Sequence, residues 1–167
     1  PSAQAGPVQK QELGPLIKQY LMDHPETIIK AVEKHKAKSE ERELEKYQQA
    51  VKEHREAIFE DDHSPTIGPD SAEVKIVEFF DYNCSACKYM FQPLDAMREA
   101  YGDDIQIIFK EFPIFGKKSR QLARIGWAVS HLKPEAYYAF HEKMMEHKGK
   151  TSPKQAYRFA EAAGLER

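Results

Sequence analysis

Val74-Lys75-Ile76-Val77-Glu78-Phe79-Phe80-Asp81-Tyr82-Asn83-Cys84-Ser85-Ala86-Cys87 is the stretch on which the reading of this chain turns. An apolar, β-branched and aromatic run predicts a strand over Val74–Phe80, and a C-x-x-C pair follows it where a helix should begin. At a helix N-terminus, free N–H groups and the positive end of the macrodipole stabilise a thiolate at Cys84. Cys87 then lies one turn along, placed to resolve a mixed disulfide formed on Cys84. Cys84 is thus the expected nucleophile and Cys87 the resolving thiol. They are the only two cysteines in the sequence, which leaves none for a structural bridge or a four-cysteine metal site. Two other readings compete. One is a buried pair of small apolar residues, and the other is half of a metal site completed by some of His63, His131, His141 and His147. The strand-then-helix context favours redox chemistry.

Glu78 stands where a purely structural central strand would carry another apolar side chain. It either faces solvent or lies buried beneath the cysteines. Burial would raise its pKa and let it exchange a proton with Cys87.

Working outward, the 167 residues suit one domain, or one domain with an appendage. Hydrophobic residues make up 41% and charged ones 31%, enough for a core plus one unusually polar region. A net charge of −2 gives no electrostatic case for nucleic acid or an anionic membrane. No apolar run reaches the roughly 18 residues of a transmembrane span. Cysteine usage alone leaves the compartment open.

The polar region is N-terminal. Leu13, Leu16, Ile17, Tyr20 and Leu21 recur at helical spacing, and Pro25 is placed to open a second helix carrying Ile28, Ile29 and Val32. That helix continues through a charged stretch with i,i+3 and i,i+4 pairs such as Lys30–Glu33 and Glu26–Lys30. Leu44, Tyr47, Val51, His54 and Ile58 then follow as a heptad seam. A long polar helix with apolar patches at its ends has no local partner, so residues 1–60 are expected to self-associate as a homodimer or homotrimer. Residues 61–72, rich in turn formers, read as a linker.

Residues 73–116 carry the strand Val74–Phe80, a helix from the cysteines to about Tyr101 with Pro93 expected to kink it, and a second strand over Asp104–Phe109. Residues 117–167 carry three helices, over about Ser119–Leu132, Pro134–His147 and Pro153–Ala163. Leu122, Ile125, Val129 and Leu132 mark the apolar face of the first, and Tyr137, Phe140, Met144 and Met145 that of the second. Ser152 caps the third, with Pro153 behind it.

The segment Glu78-Phe79-Phe80-Asp81-Tyr82-Asn83-Cys84-Ser85-Ala86-Cys87 resembles the active-site segment of the DsbA-type periplasmic disulfide oxidoreductases. The resemblance extends through Phe109-Lys110-Glu111-Phe112-Pro113-Ile114-Phe115-Gly116 and Tyr138-Ala139-Phe140-His141. Upstream it reaches Tyr20-Leu21-Met22-Asp23-His24-Pro25-Glu26, which is similar to the subgroup with N-terminal oligomerisation helices, including the suppressor-of-copper-sensitivity C proteins. It implies an α/β thioredoxin-like fold with an inserted helical domain, preceded by an extended helical segment. It implies a buried acid role for Glu78, with Cys84 as nucleophile and Cys87 buried. It also implies a periplasmic location with the signal peptide already removed, and no cofactor. The implied partners are unfolded or misoxidised proteins and a membrane-bound redox protein, with no nucleic acid.

Ser85 and Ala86 replace the Pro-His of the strongest oxidants. Without an imidazole beside Cys84 the disulfide should be less oxidising. The family also places a cis-proline loop, two strands and a helix after the inserted helices, and Pro93, Pro113, Pro134 and Pro153 all sit in other contexts. The expectation is therefore a piece of a longer gene product, whose two strands alone would leave a sheet edge and one face uncovered. Two functions from other classes stay open beside the oxidoreductase: a thiolate module for copper(I) or zinc, and an oligomeric holdase.

Overall fold

The computed structural model describes residues 10–165, with side chains from Leu13 onward. It divides into two compact units, with the boundary in sequence between His54 and Arg55.

The first unit is a pair of helices, α1 (Lys10–Asp23) and α2 (Pro25–Glu53). His24 leaves helical geometry between them, and Pro25 opens α2 at a position whose N–H would be unpaired in any case. None of the 29 residues of α2 is buried. Leu16, Ile17 and Tyr20 on α1 are exposed, as are Ile28, Ile29, Val32, Leu44, Tyr47 and Val51 on α2. Along α2, Lys36 and Glu40 form an i,i+4 ion pair at 3.8 Å. The expected heptad seam is cut short. His54 departs from the helix (φ −111°, ψ 23°), and Ile58 falls in α3 (Arg55–Phe59), which belongs to the other unit.

The second unit is built on a three-stranded sheet of order β1-β3-β2, with β1 at Thr66–Ile67, β2 at Val74–Phe80 and β3 at Ile105–Glu111. β2 and β3 are parallel, from Val74 opposite Ile105 to Phe80 opposite Glu111. A parallel pair needs a long crossover, and α4 (Ser85–Tyr101) supplies it. The helix runs through Pro93 to Gly102, followed by a single 3-10 turn.

Strand β1 corrects the reading of residues 61–72 as a linker. Thr66 and Ile67 pair antiparallel with Ile108 and Ile107, and the Pro65 carbonyl accepts the Phe109 N–H at 2.9 Å. Lys110 Nζ donates to Asp61 Oδ2 at 2.7 Å and to the Ala57 carbonyl at 2.8 Å. Gln106 Nε2 donates to Asp70 Oδ1 at 2.7 Å. Gly68 has φ +94° and lies directly over the Ile105 carbonyl, where any Cβ would collide. The Lys110 and Ser64 hydrogen bonds hold the Asp61 carboxyl well below its ordinary range. β3 is consequently a central strand, and Ile105, Gln106, Ile107, Ile108 and Phe109 are all buried. The expected uncovered edge therefore falls on β2 and not on β3, with Val74 and Phe79 about half exposed.

The helices α5 (Lys117–Leu132), α6 (Tyr137–Glu146) and α7 (Pro153–Ala162) pack on one another, and α4 packs on α6. Leu122, Ile125 and Val129 are buried as the periodicity predicts, but Leu132 is exposed, because α5 ends there and Lys133 turns away. A 3-10 turn at Pro134–Ala136 precedes α6, whose Tyr137, Phe140, Met144 and Met145 enter the core. Ser152 and Gln155 form a reciprocal capping box at the start of α7. Phe80, Tyr82, Phe91, Phe109, Leu122 and Phe140 join sheet and helices in one hydrophobic cluster.

Candidate active site

Where β2 ends, Asp81 folds the chain into the cysteine helix. Its Oδ1 accepts the Asn83 N–H at 2.8 Å, Oδ2 accepts the Phe115 N–H at 3.2 Å, and its carbonyl accepts the Cys84 N–H at 2.9 Å. This is an Asx-type turn, made rigid by the burial of the Asp81 side chain. The loop after α6 is tied to the same place. Lys88 Nζ donates to the His147 carbonyl at 2.6 Å and the Gly149 carbonyl at 2.8 Å, and the Thr151 N–H donates to Asn83 Oδ1 at 2.8 Å.

Cys84 is the N-cap of α4, with extended backbone and its Sγ accepting the Cys87 N–H at 3.4 Å. Both cysteines are free thiols and half-buried. Hydrogen bonding from the Cys87 thiol lowers the Cys84 pKa, with further help from the Cys87 and Ala86 amides and against partial burial and the Asp81 charge. The Cys87 thiol is pushed up to about 11, first by burial and then by its hydrogen bond to Cys84. One sulfur is prepared to be an anion and the other to hold a proton. Ser85 and Ala86 between them are exposed.

Glu78, opposite Phe109 in the β2–β3 register, has a side chain only 12% exposed. Burial pushes its carboxyl up to about 7. Its charge is among the influences that raise the Cys87 thiol, so the acid and Cys87 sense each other. Glu78 Oε2 lies 3.7 Å from Nε2 of His141, an imidazole with no solvent exposure that burial pushes down to about 3. His141 Nδ1 is in turn 3.3 Å from the Tyr82 hydroxyl. The rings of Phe80 and Phe109 stand 4.8 Å and 4.6 Å from the imidazole, closing it off.

Tyr82, Glu111 and the role of His141 escape the sequence reading. The signal for His141 is visible in retrospect: it shares the apolar face of α6 with Tyr137, Phe140 and Met144. Glu111 is the last residue of β3, next to Lys110, where no spacing in the sequence marks it as buried. The histidines of the metal reading separate. His63 and His131 lie 6.2 Å apart near Trp127, His147 meets Gln155 at 3.2 Å, and His141 is inside the core. Among the described residues, no group of three His, Cys, Asp or Glu side chains is arranged to hold a metal ion.

A thioredoxin family model matches residues 60–167. The chain belongs to the thioredoxin family. A second model, described as the copper resistance protein ScsC N-terminal domain, matches residues 9–42, and together with the relatives and structures that follow it supports a DsbA-like, ScsC-type family. A Bacillus cereus protein named probable disulfide bond formation protein D is 32% identical over 88 residues, which are 51% of this chain and 41% of that relative. The chain thus spans less than half the length of this curated relative. Among solved structures, Salmonella enterica Typhimurium BcfH superposes with a TM-score of 0.77 at 29% identity, covering 92% of this chain and 65% of its own. Proteus mirabilis ScsC in a transitional conformation gives 0.65 at 25% identity, covering 96% and 72%. The DsbA-type thioredoxin fold with a helical N-terminal segment, expected from the resemblance, is thereby shown.

Proposed function

We propose that this chain catalyses thiol–disulfide exchange on proteins of the periplasm, through Cys84 and Cys87. The reading rests above all on the division of labour within the pair: Cys84 is capped by the helix and lowered in pKa, while Cys87 is raised. In the oxidising direction a substrate thiolate attacks Cys84 Sγ, and the Cys84–Cys87 bond breaks with its electron pair going to Cys87. Glu78 supplies the proton that Cys87 takes up. A second substrate thiolate attacks the substrate sulfur of the mixed disulfide and releases Cys84 as a thiolate, so two substrate thiols become one disulfide and the protein becomes a dithiol. A membrane-bound redox protein then restores or drains the pair. Run in alternating directions, the same steps reshuffle disulfides.

The N-terminal helices support a dimer or trimer. Their apolar residues are exposed within their own unit, and the ScsC-type match covers this segment. Several active sites in one assembly suit isomerisation of misoxidised substrates.

The test is a spectroscopic titration of the thiolate together with a redox equilibrium against glutathione. Cys84→Ser should abolish exchange, and Cys87→Ser should trap mixed disulfides with substrates. A Cys84 thiol titrating near the ordinary value of about 8.5, with no defined potential, would remove this function.

A further inference from the structure

Thiol exchange as described uses one end of a longer line of buried polar groups. Glu78 faces His141 across 3.7 Å, and His141 faces the Tyr82 hydroxyl across 3.3 Å. Tyr82 and Glu111 converge over Gly126 of α5. A Cβ there would lie 3.0 Å from the Tyr82 hydroxyl and would collide with Glu111 Oε1, so only glycine leaves room for the two to meet. Both Glu111 carboxyl oxygens are sealed from solvent without a full hydrogen bond, and so are Glu78 Oε2, His141 Nε2 and the Tyr137 hydroxyl. Leaving buried polar groups under-satisfied costs about 1–3 kcal/mol each. An apolar core would be more stable here, yet Glu78, His141, Tyr82 and Glu111 follow one another in space, and only Ser119 Oγ is a further such side-chain group among the described residues.

We propose that Glu111 is a second acid serving the redox pair, a reserve of the proton that Glu78 delivers to Cys87, and that His141 and Tyr82 carry it between them. The inference rests on the thiol–disulfide reading above. When Glu78 gives its proton to the departing Cys87 thiolate, its carboxylate takes the Nε2 proton of His141. His141 Nδ1 takes the Tyr82 hydroxyl proton, and Tyr82 takes the proton of Glu111. Three hops move one proton in net from Glu111 to Glu78. The imidazole changes tautomer and never becomes a cation, and no electron leaves or enters the line. Exchange of the next Glu78 proton runs the hops in reverse.

The surroundings fit this role. Burial pushes Glu111 up to about 8, followed by the Asp81 charge, against about 7 for Glu78, so the two acids are closely matched. Burial also holds His141 neutral, which keeps imidazolium off the path. The titratable and charged groups facing the line are Asp81 from the loop, Cys87 from α4 and Tyr137 from α6, while Lys110 on β3 turns to Asp61. The 3.7 Å step must tighten during reaction, as catalytic contacts commonly do.

The test uses the full chain, oxidised, mixed rapidly with reduced glutathione across pH values on both sides of neutral. Wild type and Glu78→Gln serve as references, with Tyr82→Phe and Glu111→Gln as the variants. Tyr82→Phe keeps the buried ring and Glu111→Gln keeps shape, so either can report if the other folds poorly. Removing the hydroxyl should slow reduction about tenfold at neutral pH. The alkaline limb of the rate profile should move from near 8 toward 7, because Glu78 then acts without its reserve. Glu111→Gln should do the same, and the double variant should be no slower than either single one, a non-additivity that independent structural damage does not produce. Limbs unmoved in both single variants beside a normal wild type overturn the relay alone. A wild type that exchanges no disulfide overturns the thiol–disulfide reading, and the relay with it.

Discussion

Helix α2 passes 29 residues without burying one, whereas β3 buries five in succession from Ile105 to Phe109. The first is held by backbone bonds and surface pairs such as Lys36–Glu40, each worth a few tenths of a kcal/mol. The second lies between two strands and under aromatic side chains, where each apolar residue contributes about 1.5–3 kcal/mol. The contrast teaches where each region obtains its stability. The thioredoxin unit carries its own core, while the N-terminal helices leave their apolar rows exposed within their own unit.

The sharpest way to break that contrast is to empty the core. Phe80→Ala removes a ring that contacts Tyr82, Phe109 and His141. It should cost about 3–5 kcal/mol in chemical denaturation of the thioredoxin unit. A loss comparable to that of a surface substitution would show that the cluster is not the main source of stability.

Gly68→Ala asks whether residues 61–72 belong to the core or merely lead to it. The left-handed backbone and the Ile105 carbonyl below it leave no space for a methyl group. Destabilisation of about 2–3 kcal/mol is expected, whereas a tether would show none.

Glu78→Leu should act in the opposite direction and stabilise by about 1–3 kcal/mol at alkaline pH. The sign follows from linkage. Glu78 binds its proton more tightly folded than unfolded, so its contribution is intact below about 4.5 and is lost as pH rises through about 7. The advantage of leucine over glutamate should therefore grow across that window. Denaturation midpoints at several pH values measure it, and a pH-independent difference would mean that the carboxyl is solvated.

The smallest effect is the most selective. Leu44→Ala on α2 should change unfolding of the thioredoxin unit by less than about 0.5 kcal/mol, the range for exposed positions. It should nevertheless lower the mass seen in sedimentation at a fixed concentration. An unchanged mass, alone and together with Val51→Ala, would dissociate these residues from self-association.

Much of the redox half was legible in the sequence because its signals are dense. A strand of seven residues and a spaced cysteine pair leave few alternatives, and the Tyr137, Phe140, Met144 and Met145 periodicity reports one buried helix face. Strand β1 was illegible for the same physical reason inverted. Two residues show no alternation, and what fixes them is a glycine conformation and bonds to a strand far along the chain. Glu78 announced itself as an acid among apolar neighbours, but its direction depends on which face of β2 is covered. His141 was visible only as one more possible ligand, since a histidine and its partners are brought together by packing and not by spacing. Leu132 misled because periodicity continues to the last residue of a helix, whereas burial stops when the helix clears its neighbour.

The pairing of Thr66 with Ile108 has a consequence for the order in which the protein comes into being. A polypeptide is delivered N-terminus first, from the ribosome or through a membrane channel. Every backbone bond of α1 and α2 closes within a few residues, so those helices can be complete as soon as they emerge. The sheet must wait for the stretch ending at Glu111, because its central strand arrives last. The N-terminal helices are therefore free to form while the cysteines are still in unfolded chain. Chains arrested before and after Ile108 should differ in protease resistance over residues 61–80, and equal resistance would contradict this order.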